Sequence, residues 1–519
     1  MELQQAPAVV VGDGQDLGVG DVAEVSRRRR RVTLSPRCRR RVLAARRMVD
    51  KVTATGGKPT YGINTGFGNL SRVRIPANDL LALQSNLLRS HAAGVSDSLE
   101  TEVVRAMILL LLNSLAKGHS GVRLEMLERL VTVLNSPVTP VVPSRGSVGS
   151  SGDLAPLAHL ALAVCGEGRF VRDGSVIDAS VALAEIGLEP VEPRSKEGLA
   201  LINGTHLMAG LGALLVHDTR LVLEVSELAA ALALDVLLGS IAPMDDRIHR
   251  VRRRPRQRQV AARVRALLAG SELLASHVNC SKVQDPYSLR CIPQVLGAFW
   301  EGFDYVAGAI TLELDAVTDN PLCFPDDGIV LPGGNFHGQP LSLPLDLLAV
   351  LVAEIGAFSE RRTYRLLSDD SSERALPPFL IAEPGIQSGL MVLQYVAAAL
   401  VAENQVLAHP AGTASLPTSA GQEDYNSLGA TAALKARQIV DNTLRILAVE
   451  LLCACQALDL RRPLRCGSAL ETVHAAVREL SAPITEDRSL ADEIERVAGA
   501  ISAGSFREAF AAVDGAVSE

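Results

Sequence analysis

The chain has 519 residues, 48% hydrophobic but only 3% aromatic, with a formal charge of −7. That length holds two or three domains or one large helical body, and burial by Ala, Leu and Val favours close-packed helices over sandwiches. The acidic balance argues against nucleic acid or an anionic membrane as a partner. No two of the cysteines at 38, 165, 280, 291, 323, 453, 455 and 466 have the C-x2-C spacing of a zinc site, so reduced thiols and no metal are expected. Met1-Glu2-Leu3-Gln4-Gln5 lacks the basic and apolar regions of a secretion signal, which predicts a cytoplasmic chain.

Residues 1–20 are Gly/Val/Asp-rich and read as a loose terminus. Twelve basic residues lie between Arg27 and Lys51, with Ser35-Pro36 suited to a helix start. Without interleaved aromatics they read as a solvated face rather than a nucleic-acid patch. Tyr61-Gly62-Ile63-Asn64-Thr65-Gly66-Phe67-Gly68 is a glycine-rich loop. Helical periodicity follows over Thr101–Ala116 and Leu124–Leu134. Short strands are expected near Gly168–Val176, turning at Arg172-Asp173-Gly174, and near Gly328–Leu331. Beyond Glu192-Pro193-Arg194-Ser195 the pattern is long apolar helices: 198–217, 219–239, 258–276, 291–316, 340–367, 387–409 and 427–457. Arg247–Arg265 reads as a polar loop between helices. These features predict a mainly α protein with an N-terminal domain over 1–195 and a long-helix bundle over 196–519. The near-membrane-length stretch Gly198–Val216 is interrupted by Asn203, Thr205 and His206, as a buried core helix would be and a membrane span would not.

The most informative segment is Gly146-Ser147-Val148-Gly149-Ser150-Ser151-Gly152-Asp153-Leu154-Ala155-Pro156. In a tight turn the amide nitrogen of a glycine meets no Cβ barrier as it attacks the carbonyl carbon two residues back. Closure of Gly152 onto Ser150, with loss of two waters, one from the Ser151 side chain, would leave a ring bearing an exocyclic C=CH2. That is an electrophile no ordinary side chain supplies. The run resembles the signature of the ammonia-lyases and aminomutases that carry a methylidene-imidazolone group, with Ser150 where the usual core has Ala. The resemblance implies the ammonia-lyase/fumarase-like fold, with a central helical bundle. It also implies a 4-methylidene-imidazol-5-one made from Ser150-Ser151-Gly152, with no dissociable cofactor. A homotetramer is implied too, its active sites built from several subunits.

The same family is matched by the Tyr61 loop and by Gln284-Asp285-Pro286-Tyr287-Ser288-Leu289-Arg290-Cys291. Carried over, Tyr61 is the base that takes the β-proton and Tyr287 supports proton transfer. Tyrosine ordinarily titrates near 10, so this use of Tyr61 needs a nearby cation or donors. Arg290 suits the substrate carboxylate, which a guanidinium can grip with two bonds. Asn203, Gln284, Asn335 and Phe336 complete the pocket by the same resemblance, Phe336 packing beside the ring.

Selectivity is read at Ser90-His91, Met391 and Glu423. The Ser-His pair and the Met/Glu pair are similar to those of histidine-acting members, and both His91 and Glu423 offer hydrogen bonds to an imidazole. The expected reaction is L-histidine to urocanate and ammonia. Tyr425-Asn426-Ser427-Leu428 departs from the histidine-type pattern, as do Ser150 and His206. A tyrosine or phenylalanine ammonia-lyase or 2,3-aminomutase is therefore the alternative, and a non-catalytic relative a third.

Overall fold

A computed structural model of the chain describes residues 7–55, 59–278, 283–368 and 375–515; Cys280 lies outside them. Helices dominate, and the strands form four small sheets. The chain forms two compact units. The first comprises residues 1–217, 307–346 and 410–434, the second 218–306, 347–409 and 435–519. The division expected at residue 195 is not the one found. Unit boundaries fall inside the helices His206–Val236, Ala-rich Gly429–Arg461 and Gln339–Leu367, because a polar interruption such as Glu192–Ser195 marks a turn rather than the end of a packed body.

In the first unit the terminus expected to be loose carries the strand Val9–Val11, paired in parallel with Val32–Leu34. Val9, Val11 and Val32 are buried, a two-residue alternation that a three-residue strand is too short to announce. The helix Pro36–Thr55 starts where Pro36 supplies the helical φ, and the Ser35 hydroxyl accepts from the Cys38 amide at 2.9 Å. Part of its basic neighbourhood is paired: Arg27 with Glu102, Arg30 with Asp21 and Arg39 with Glu128. The helix Thr101–Ala116 has the expected bounds and is buried along almost its whole length. The hairpin Arg169–Arg172/Ser175–Asp178 turns at the expected residues.

The helices expected over 198–217 and 219–239 are instead Glu197–Ile202 and His206–Val236. The break falls at Asn203-Gly204-Thr205, which holds the site, and not at His217-Asp218-Thr219, polar residues a helix tolerates. In the second unit, the Arg247–Arg265 stretch expected to be a loop is two helices, Asp246–Arg252 and Pro255–Leu267. Asp245 caps the first by accepting from the Arg247 amide at 2.9 Å, and Pro255 opens the second. One helix among the described residues, Gln339–Leu367, is long and apolar enough to cross a membrane, and most of its apolar stretch is buried in the protein.

Candidate active site

Residues 146–153 form a loop gripped from several sides within the first unit. The Val148 carbonyl accepts from the Leu428 amide at 2.8 Å, and the Gly149 carbonyl from the Gly338 amide at 2.9 Å and the Ser427 hydroxyl at 2.8 Å. The Ser150 hydroxyl donates to the Tyr425 carbonyl at 3.2 Å. Asp153 is fully buried; its carboxylate accepts from the Ser147 hydroxyl at 2.7 Å and from the Leu207 and Met208 amides at 3.0 and 3.1 Å. Those amides open the helix His206–Val236, where a negative group is favoured. Even so, burial pushes the Asp153 carboxyl up to about 6.

Within this grip Ser151 and Gly152 both have left-handed backbones, with φ of 57° and 73°. For Ser151 that conformation costs about 1–3 kcal/mol and needs a surrounding that enforces it. Gly152 lies against Gly204, and a Cβ on Gly152 would stand 2.0 Å from the Gly204 carbonyl oxygen. Only glycine fits there, with no side chain over its nitrogen. A ring made from Ser150, Ser151 and Gly152 therefore suits the loop: its turn is strained, its glycine is obligatory, and its flanks are pinned.

The loop opens on a cavity of about 650 Å³ lined by Tyr61, Leu87, Ser90, His91, Ser151, Asn203, Asn320, Phe336 and Glu423 among others. A second lobe of about 640 Å³ shares Tyr61, Ser151, Asn320, Phe336 and Glu423, and adds Ser150, His337 and Tyr425. Tyr61 stands in a turn whose Gly62 has φ +74°, at the root of a flap in which Thr65 pairs with Arg74. The Gly68 amide donates to its hydroxyl at 3.4 Å. Burial raises the Tyr61 pKa, the Gly68 bond opposes this, and Glu423 and Asp319 add to the rise. The cationic support expected for Tyr61 is not supplied by these groups.

His91 points one nitrogen at its own helix: Nδ1 lies 2.9 Å from the Leu87 carbonyl and 3.0 Å from the Ser90 hydroxyl, and the carbonyl, which can only accept, favours Nδ1 as the protonated nitrogen and Nε2 as an acceptor. Burial lowers its pKa, outweighing the Leu87 bond and the Glu423 charge, which favours the neutral imidazole. Glu423 accepts from the Ser151 hydroxyl at 2.9 Å through Oε1 and from the Thr418 hydroxyl at 2.7 Å through Oε2. Asn203, nearly fully buried, donates to the Asn320 carbonyl at 3.2 Å.

Not all expected residues gather here. Asn335 does not line either lobe; its amide donates to the Val317 carbonyl at 3.1 Å, while its neighbour Phe336 lines both. Gln284, Tyr287, Arg290 and Met391 belong to the second unit and line neither lobe. Tyr287 is 71% exposed, with the Arg290 guanidinium 4.6 Å over its ring. Thr418 and Asn320 were not legible as site residues: Leu416-Pro417-Thr418-Ser419 has no motif, and Asn320 reads only as the residue before a proline. Among the described residues no group of three His, Cys, Asp or Glu side chains could hold a metal.

Residues 17–479 match the family model of the aromatic amino acid lyases, and the chain belongs to that family. It is 46% identical over 511 residues to the histidine ammonia-lyase of Sorangium cellulosum, covering 97% of this chain and 99% of that protein. The solved histidine ammonia-lyase of Trypanosoma cruzi superposes with a TM-score of 0.90 at 40% identity, over 98% of this chain and 96% of that one. The tyrosine aminomutase of Streptomyces globisporus superposes with a TM-score of 0.91 at 37% identity, over 97% and 98%.

Proposed function

We propose that this chain is a cytoplasmic histidine ammonia-lyase, converting L-histidine to urocanate and ammonia. The observation that carries the reading is the strained, pinned Ser151-Gly152 turn facing a cavity whose far wall is Ser90-His91. When formed from Ser150-Ser151-Gly152, the methylidene-imidazolone supplies the electrophile that makes the amine a good leaving group. Everything else falls to ordinary side chains.

The cavity wall of Leu83, Leu87, Val73 and Ile75 excludes water around the substrate ring. The Nε2 of His91 and the Glu423 carboxylate are two acceptors in reach of the single N–H of a neutral imidazole, whereas a phenyl ring offers no donor to either. Asn203 lines the same cavity and holds the carboxylate end. Tyr61 takes the β-proton through its hydroxyl oxygen; the β C–H electron pair becomes the C=C bond as the C–N bond breaks. Burial, with the Glu423 and Asp319 carboxylates adding to it, opposes Tyr61 ionisation, so the reaction requires a cation beside it. Arg290 meets that need if it comes from a neighbouring copy in a homotetramer, with Tyr287, Gln284 and Met391 from the same surface. Arg290 then grips the substrate carboxylate and favours the phenolate.

An aminomutase or a tyrosine or phenylalanine lyase is the second reading, favoured by Tyr425-Asn426-Ser427-Leu428. Of the three departures only His206 lies off the cavity, buried and lining neither lobe, whereas Ser150 and Tyr425 line the second lobe. The test is incubation of the purified protein with L-histidine, L-tyrosine and L-phenylalanine separately, products being resolved by mass spectrometry. Urocanate from histidine alone is expected. Coumarate, cinnamate or a β-amino acid as the main product would overturn the assignment.

A further inference from the structure

Lys196 and Asp319 form an ion pair almost wholly withdrawn from water: Nζ stands 2.6 Å from Oδ2, and the two side chains are 0% and 2% exposed. Charges buried this deeply lose solvation that their attraction only partly returns, so the pair adds little net stability. Lys196 reaches it from a left-handed backbone, φ 74°, at the start of the helix Glu197–Ile202. A non-glycine residue keeps that conformation only where its surroundings enforce it. What the pair supports is the site. Gly62, next to Tyr61, packs against it: a Cβ there would stand 2.7 Å from Leu199 Cδ2, 2.9 Å from Pro321 Cδ and 3.8 Å from Lys196 Cδ. Asp319 Oδ1 accepts from the Asn320 amide at 2.6 Å, and the Asn320 carbonyl accepts from Asn203 at 3.2 Å. Asn320 Oδ1 accepts from the Gly333 amide at 2.7 Å, in the loop that leads to Phe336. One buried pair thus stands behind the Tyr61 turn, Asn203 and the Phe336 loop.

We propose that Lys196 is a positioning residue for the reaction: paired with Asp319, it seats the Tyr61 turn and offsets the carboxylate charge that Tyr61 would otherwise face, a role that rests on Tyr61 being the base. Two carboxylates act on Tyr61 against loss of its proton, Glu423 from the 418–423 loop and Asp319. Glu423 is met by the Ser151 and Thr418 hydroxyls, whereas Asp319 is met by a full positive charge. With both partners present, Tyr61 faces a neutral pair. Without Lys196 it faces a lone carboxylate, which disfavours the phenolate; without Asp319 it faces a lone ammonium, which favours it. The charges next to Lys196 pair off independently of it: Glu197 with Arg123 at 2.8 Å, and Arg46 with Asp50 at 2.6 Å, 3.9 Å from Glu197. The Cys323 thiol, which feels Lys196, Asp319 and Arg46, is pushed up to about 11 by burial. His91, His337 and Asp424 line the lobes beside Tyr61 and are the same in every variant compared below.

The readout is the alkaline limb of kcat/KM for L-histidine, measured on the purified full-length chain. Lys196→Met is expected to move that limb to higher pH and Asp319→Asn to move it to lower pH, each by about one unit. The double variant K196M/D319N carries neither charge and is expected to return the limb to its parental position. Circular dichroism checks the fold of each variant. Where Lys196→Met does not fold, the downward shift in Asp319→Asn and its cancellation in the double variant carry the test. A pair that served packing alone would lower kcat in all three variants and leave the limb where it was; that result overturns the assignment. Single variants that shift the limb in the same direction also overturn it. A parent with no alkaline limb, or with one that survives in Tyr61→Phe, overturns instead the reading of Tyr61 as the base.

Discussion

Gly152 and Gly204 meet backbone to backbone: the Asp153 amide donates to the Gly204 carbonyl at 2.8 Å, and a Cβ on Gly152 would stand 2.0 Å from that oxygen. Gly152→Ala cannot be absorbed, because the clashing atoms are main chain. It is expected to abolish both water losses and turnover and to lower the melting temperature, read by intact mass and calorimetry. An active Gly152→Ala enzyme would contradict this packing.

Ser151→Ala separates chemistry from folding. With no hydroxyl to lose, it is expected to be inactive while keeping the parental circular dichroism and melting behaviour. Alanine at 151 leaves the left-handed strain where it was, so stability should change by less than about 1 kcal/mol.

Tyr61→Phe removes the proposed proton acceptor and is expected to lower kcat about a hundredfold or more, with a smaller change in KM. Since burial raises the Tyr61 pKa, the reactive phenolate grows with pH. The parental kcat/KM is expected to climb on the alkaline side, and the Phe variant to lose that limb of the pH profile.

Asp153 and His206 make stability respond to pH in opposite senses. Burial raises Asp153 from 3.8 to about 6, so its contribution is full below pH 3.8 and is lost as pH climbs through about 6. Burial lowers His206 from 6.5 to about 3, and neither ring nitrogen has a partner among the described residues. Its contribution is full above pH 6.5 and is lost as pH falls towards 3. Urea unfolding across this range should show His206→Leu losing less stability on acidification than the parent, by up to about 5 kcal/mol at the acid end. Asp153→Asn should remove about 3 kcal/mol of decline between the two Asp153 values.

If active sites are assembled from different copies, inactive chains can repair each other. Tyr61→Phe and Arg290→Ala, each inactive alone, are expected to regain a fraction of parental activity when co-expressed. No recovery in mixed oligomers would place both residues in one subunit's site or none.

What was legible in the sequence was chemistry tied to short, unusual runs. Ser151, Tyr61, His91 and Glu423 were each singled out, and all line one cavity, with Gly152 packed behind Ser151 against Gly204. The helix Thr101–Ala116 and the hairpin at Asp173-Gly174 were legible because their signals are local. The strand Val9–Val11 was not, since its partner lies beyond an intervening helix. Nor was the role of Thr418: a threonine in a loop becomes a carboxylate clamp only once Glu423 is folded against it. His206 and Asn426 looked like selectivity signals, yet both are buried behind the loops that they support.

The grip on the Ser150–Gly152 loop has a consequence for biosynthesis. Its contacts come from Gly204, Gly338 and Tyr425–Leu428, segments that leave the ribosome long after the loop itself. A fragment cut short before residue 425 lacks the Tyr425–Leu428 contacts that hold the turn. A ring formed by this loop would thereby be withheld until nearly the whole polypeptide has been made, and abortive products would carry no alkylating group into the cell.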